Sequence, residues 1–180
     1  MEQEEVKIQA FEYVLYKLVA WYKNAYPKSE DNDISVLKAL KLLFFISAVD
    51  TTKDSSGTLL DDVFNNFVAM PYGHVESDVY SIIKRRRLQQ VEINNHKTSI
   101  SNTFDLDGIE VDLRKRIDMS VNKLQSINFN LIKYSSFNLV DLSHTWYSWQ
   151  YFYNMALATH CQSHPIQNDY IKSEEKIYTL

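Results

Sequence analysis

"DISVLKALKLLFFISAV" (Asp33–Val49) is the most apolar stretch of the chain, and its reading decides the fold. The run from Ile34 to Val49 spans 16 residues and is broken by Lys38 and Lys41. A bilayer crossing needs about 20 predominantly apolar residues, so this is a core helix rather than a membrane span. Asp33 is a plausible N-cap, and Val36, Leu37, Leu40, Leu43, Phe44 and Val49 would face inward. Leu42, Phe45 and Ile46 add apolar surface on the remaining sides. A helix apolar on most of its circumference belongs at the centre of a core.

Helical patterning continues on both sides. Phe11, Val14, Leu15, Leu18, Val19 and Tyr22 recur at spacings of three and four within Val6–Asn24, which predicts an amphipathic helix. Tyr26-Pro27 ends it, because the residue before proline avoids the helical region. Lys28–Asp33 and Thr51–Gly57 read as polar loops. Val63–Met70 is short, apolar and aromatic, a strand or extended segment closed by Pro71. Ser77 is expected to cap a third helix running to about Arg87. Gln89–Asp112 is polar and aperiodic, a loop with room for a short hairpin at His96–Phe104. Asp112 is expected to cap a long fourth helix with Leu113, Ile117, Val121, Leu124, Ile127, Leu131 and Tyr134 on one stripe. Ser135–His144 reads as a cap and short helix, Trp146–Ala158 as a further helix, and Ser173–Tyr178 as a helical piece near the end.

The chain has only 3 glycines and 3 prolines in 180 residues, which disfavours a turn-rich sandwich or barrel. The expected architecture is mainly α. It is a compact single domain over residues 1–180, a bundle of five to six helices with a short extended or β element around residues 63–71. Its core covers roughly residues 8–170, and residues 171–180 form a C-terminal tail.

Composition narrows the function classes. The net charge of −4 argues against a dedicated nucleic-acid binder. A single cysteine, Cys161, permits no intrachain disulfide and suits a reducing compartment such as the cytoplasm. The acidic N-terminus lacks the charged and apolar regions of a secretory signal. Glycine-rich phosphate loops, GxSxG, HExxH and paired CxxC motifs are absent, so no cofactor or metal is expected.

Three clusters invite a functional reading, and each has a plainer one. His160, Cys161 and His164 could serve a metal, but a tetrahedral site needs four ligands. Lys84–Arg87 and Arg114–Arg116 could hold an acidic partner, although cations at a helix C-terminus also complement its dipole. The acidic run Asp105–Asp112 lacks the closing glutamate of an EF-hand and reads as a solvated loop. Aromatics are the real excess: 12 Tyr, 9 Phe and 3 Trp. Six fall within the eight residues Trp146–Tyr153, more than one helix face can bury. Tyrosine and tryptophan combine large contact area with a polar handle, as protein interfaces require.

"FVAMPYGHVESDVY" (Phe67–Tyr80) places Pro71 and Gly73 side by side with Tyr72 and His74. Together with "SVLKALKLLFF" (Ser35–Phe45) and "LVDLSHTWYSWQ" (Leu139–Gln150), it resembles the Panacea antitoxin domain, the SocA/GepA-like family. The first block matches at Leu37, Leu40, Lys41, Leu42, Leu43 and Phe44. The second matches at Ala69, Pro71, Tyr72, Gly73, Val75, Val79 and Tyr80, and the third at Leu142, Ser143, His144 and Trp149. Ala10–Leu18 resembles the family's opening helix. At His74 the family usually carries proline.

The resemblance implies a non-enzymatic antitoxin that neutralises a cognate protein toxin, encoded next door, by direct contact. In one branch the domain instead delivers the toxin to a protease, and many members sit on prophages or other mobile elements. Homo- or hetero-oligomers fit either role. Many members add a DNA-binding domain, for which this chain has no room, so direct nucleic-acid binding is not expected. The toxin-binding residues expected on this basis are Tyr72, Gly73, His74, Val75, His144 and Trp149, with Lys84, Arg85, Arg86 and Arg87 as an electrostatic accessory. An enzyme using His144 with Asp141 would instead require an open polar pocket around that histidine. If His74 faces solvent the turn is free to be a contact surface, and if Tyr72 and His74 are both buried it is scaffold.

Overall fold

The apolar helix read from Asp33–Val49 is the centre of the molecule. The computed structural model describes residues 2–180. Helix α2 spans Val36–Ala48, and every residue from Lys38 to Ala48 is buried. Its N-cap is Ser35, not Asp33: the Ser35 hydroxyl accepts from the Lys38 N–H at 3.2 Å. Asp33 instead takes the Lys38 ammonium at 2.7 Å, which lets a fully buried side chain deliver its charge to the surface.

Helix α1 (Glu2–Ala25) packs on this core through Phe11, Val14, Leu15, Leu18 and Trp21, and it stops ahead of Pro27 as expected. Two buried charges fix its position. Lys7 meets the Glu76 carboxylate and Asp78, each at 2.7 Å. Glu12 accepts the backbone N–H groups of Gln89 and Gln90 at 2.5 and 2.6 Å. Removing one partner of such a contact leaves an uncompensated buried charge, so these contacts fix where α1 sits against the hairpin and α4.

Short helix α3 (Leu59–Asp62) leads into a β-hairpin, β1 (Phe67–Met70) and β2 (Gly73–Glu76), with Met70 opposite Gly73. A two-residue strand β5 (His164–Pro165) adds to the free edge of β1, giving the order β2-β1-β5. The β element expected near 63–71 is thus a hairpin reaching Glu76. Helix α4 (Ser77–Lys84) follows directly, and its cap is Glu76 rather than Ser77. Glu76 Oε2 accepts the Val79 N–H at 2.7 Å, and a carboxylate suits the positive end of the helix. The helix ends before Arg87 because Arg86 turns to φ +54.

Gln89–Asp112, read as loop, contains a second antiparallel hairpin. It pairs β3 (Val91–Ile93) with β4 (Thr98–Ile100), earlier than the expected His96–Phe104. It ties down the start of α2 through Val36 N–H to the Asn94 carbonyl at 2.9 Å and the Thr98 hydroxyl to the Ile34 carbonyl at 2.7 Å. Helix α5 (Val111–Ile127) buries Leu113, Ile117, Val121 and Leu124 as its spacing predicts. Its N-cap is Glu110, Asp112 lies in the first turn, and Leu131 belongs to a following 3₁₀ turn, Phe129–Lys133.

Helix α6 (Ser136–His144) is capped by Ser135, and α7 (Tyr147–Ala158) starts after Trp146. The last helix, α8, is Asn168–Ser173, so the helical piece expected at Ser173–Tyr178 lies one step earlier. The final segment is docked rather than loose. The Tyr178 ring is buried against Phe45 and Trp146, and the Trp146 indole N–H donates to the Ile177 carbonyl at 2.9 Å. The described residues form a mainly α domain of eight helices and a few short strands, sharing one core. No described helix is long and apolar enough to cross a membrane.

Candidate functional site: the clamped hairpin turn

The β1–β2 hairpin turns at Pro71-Tyr72, and the turn separates the motif residues into two populations. Gly73, His74 and Val75 point into the protein, whereas Tyr72 points out, 58% exposed. The expectation for this stretch is therefore met by halves: His74 is fully buried and Tyr72 is not.

His74 lies flat on Phe44, with ring centroids 3.6 Å apart and planes 10° off parallel. Its Nδ1 is 2.8 Å from Ser143 Oγ and its Nε2 is 2.8 Å from Ser148 Oγ. Ser148 also donates its backbone N–H to Glu174 Oε2 at 2.9 Å. A consistent proton assignment follows. Nε2–H donates to Ser148, whose hydroxyl turns to the Glu174 carboxylate, while Nδ1 accepts from the Ser143 hydroxyl. Burial, then the neighbouring charge of Lys41, holds His74 well below the usual histidine range, so the ring is neutral. A neutral ring with both nitrogens bonded can sit in an apolar core at little cost. His74, the position at which the family usually carries proline, thus joins β2 to α6, α7 and the C-terminal segment.

Lys41 lies beneath the same strand. It is fully buried, and its ammonium donates to the His74 carbonyl. Burial alone lowers its pKa to about 7.

The outer side of the turn is clamped. The Trp149 indole N–H donates to the Met70 carbonyl at 2.8 Å, and the His144 Nε2–H donates to the Pro71 carbonyl at 3.1 Å. The two rings stack at 3.8 Å, and Tyr153 continues the stack on Trp149 at 4.8 Å. Burial keeps His144 below its usual range despite the Pro71 bond, so it acts as a neutral donor. The histidine has a structural role here, since its imidazole face lies on Trp149 and its Nε2 on a backbone carbonyl, while Asp141 stays on the surface. Replacing Trp149 by phenylalanine keeps the stack and removes one hydrogen bond. The expected cost is about 1 kcal/mol, read as a 2–4 °C fall in melting temperature.

Above the clamp, Tyr72 meets Phe137 of α6 edge-on at 6.4 Å, and Phe137 is 64% exposed. The structure thus brings together Tyr72, His144 and Trp149 and adds Phe137. Lys84–Arg87 lies at the far end of α4, beyond the opposite end of β2. Arg85 pairs there with Glu4 at 3.3 Å and Lys84 lies over the Tyr80 ring, and neither of these contacts reaches the turn. His160, Cys161 and His164 do not converge, since no group of three or more metal-ligating side chains occurs among the described residues.

Ser148, Glu174 and Phe137 carried no signal in the sequence. Lys41 and Ser143 stood inside matched motifs, but nothing distinguished their polar roles from their neighbours' packing.

A family profile described as "Antitoxin SocA-like, Panacea domain" matches residues 40–150, more than half of the chain. The matched region runs from α2 to the first turn of α7 and contains the hairpin, its clamp and the His74 bonds to Ser143 and Ser148. No curated protein and no solved structure gives a significant match.

Proposed function

The chain belongs to the SocA-like antitoxin family of Panacea domains, and from that premise we propose that it neutralises a cognate protein toxin by direct contact through the clamped turn. The family sets a toxin–antitoxin-related role. The observation that carries the finer reading is the exposed Tyr72–Phe137 pair, held on a turn whose Met70 and Pro71 carbonyls are occupied. Two large apolar rings on a rigid support lose little entropy on docking, which is what an interface hot spot requires. His144 and Trp149 then act as support for this surface, and Gly73, His74 and Val75 as its foundation. The protein works as a binding module without chemistry of its own, in the cytoplasm where its toxin acts. The toxin is the product of the adjacent gene.

Co-expression with that gene product is expected to restore growth and to yield a co-purifying complex. A toxic neighbour that the protein neither binds nor counteracts would sink the reading. Tyr72→Ala and Phe137→Ala should each weaken the complex by about thirtyfold, or roughly 2 kcal/mol. Both sites are exposed, so melting temperature should stay nearly unchanged. Undiminished affinity in both variants would move the interface elsewhere.

A further inference from the structure

A second feature of α7 lies outside the clamp. Tyr147, Asp169, Tyr170, Ser173 and Glu174 line a groove of about 400 Å³ between the start of α7 and α8. The Tyr147 and Tyr170 rings are nearly parallel, 14° apart with centroids 6.5 Å distant, and Tyr151 stacks on Tyr170 at 5.2 Å. Two carboxylates line the groove and no cationic side chain does. Two lysines lie nearby, and the charge of Lys176 acts on Glu174. Lys172 pairs with Asp61 and the Ser55 carbonyl, and Lys176 donates to the Ile171, Lys172 and Glu174 carbonyls. Glu174 uses Oε2 on the Ser148 N–H, while its Oε1 is buried without a hydrogen-bond partner.

We propose that this groove binds a guanidinium, offered as an arginine side chain by a protein partner. The chemistry excludes an anion, which would meet two carboxylates. It favours a cation that rests on aromatic faces, because the ring quadrupole attracts positive charge within about 6 Å of the centroid. Guanidinium fits better than ammonium. It is planar, weakly hydrated and carries five donors, enough to lie on a tyrosine while bonding the exposed Asp169 carboxylate. Assigning a protein as the source rests on the function proposed above; the groove's preference for guanidinium does not.

The test is a titration of the full chain with acetyl-Ala-Arg-Ala-amide, followed by NMR of the tyrosine rings. The control is the same peptide with citrulline, which keeps the shape and removes the charge. Saturable shifts at Tyr147 and Tyr170 are expected with arginine, and binding about tenfold weaker with citrulline. Tyr147→Ala and Asp169→Asn, both at surface positions, should each weaken arginine binding several-fold without changing the melting temperature. Equal response to the two peptides, or no saturable shift up to about 50 mM, overturns the proposal. The peptide titration involves no toxin, so its failure would leave the neutralisation reading standing, and failed neutralisation would leave the groove standing.

Discussion

Replacing Gly73 by alanine is expected to lower the melting temperature by roughly 5–15 °C, measured by circular dichroism. Two costs combine. Gly73 sits at φ +94, where an L side chain is strained by about 1–3 kcal/mol. Its Cβ would also overlap Ser143 Oγ, lie 2.9 Å from Ser143 Cβ and stand 3.2 Å from Lys41 Nζ. Overpacking of that kind costs about 1–3 kcal/mol. The site has little freedom to relax, since Ser143 is held by both the ring and the backbone N–H of His74. Adding Ser143→Gly would relieve the overlap but strip buried His74 of both its Ser143 hydrogen bonds, so the double variant should still melt well below the parent. A single variant that melts within about 2 °C of the parent would show that the close approach of β2 to α6 is not what holds the turn.

The second large effect concerns pH. Burial lowers Lys41 from its ordinary 10.5 to about 7, with the His74 backbone carbonyl as its acceptor. In the unfolded chain Lys41 stays protonated up to its ordinary value, while in the folded chain it is neutral above about 7. The unfolded state therefore binds more protons between these limits, and stability rises with pH across the interval. From pH 7 to 9.5 the gain is roughly 2–3 kcal/mol, or about 5–10 °C in melting temperature.

Lys38 and Lys176, also lowered from 10.5 by burial, add to the same rise, and the remaining groups titrate elsewhere. Tyr13, pushed up to about 12 by burial and its bond to Asp118, destabilises the fold only above its unfolded value near 10. Buried His74 contributes stability that is lost as pH falls below the unfolded histidine value of 6.5. Comparison with Lys41→Met isolates the lysine. Methionine fills similar volume without a charge, so the variant should lose the Lys41 share of the upward slope, keep that of Lys38 and Lys176, and be the more stable protein at pH 7. Parallel slopes in parent and variant would mean that Lys41 stays charged in the folded state, with more polar surroundings than these neighbours supply.

Local signals carried the element types a long way. The periodicity of Phe11–Leu18 and Leu113–Leu124 marked the buried faces of α1 and α5, and Pro27 and Pro71 marked real breaks. Caps were less legible, for an identifiable reason. Asp33, Ser77 and Asp112 are good capping residues, but at the first two positions a neighbour, Ser35 or Glu76, reaches the free N–H groups. Asp33 is drawn off by Lys38, a contact no propensity scale contains. The hairpin expected at His96–Phe104 lies at Val91–Ile100, because its strands have three residues each, too short for alternation to fix their position.

By itself the sequence determined that α2 is the central helix, that the fold is mainly α, and that the chain carries the family motifs. Hydrophobic periodicity and chain-breaking residues are local quantities, and these conclusions need nothing more. Where the motif residues lie, and which of them are buried, was set by folding. His74 could be buried because Ser143 and Ser148, 69 and 74 residues away, supply both of its hydrogen bonds, and Tyr72 is exposed because His144 and Trp149 hold the turn from behind. The cost of burying a polar ring depends on partners brought together by folding, and no spacing along the chain records them.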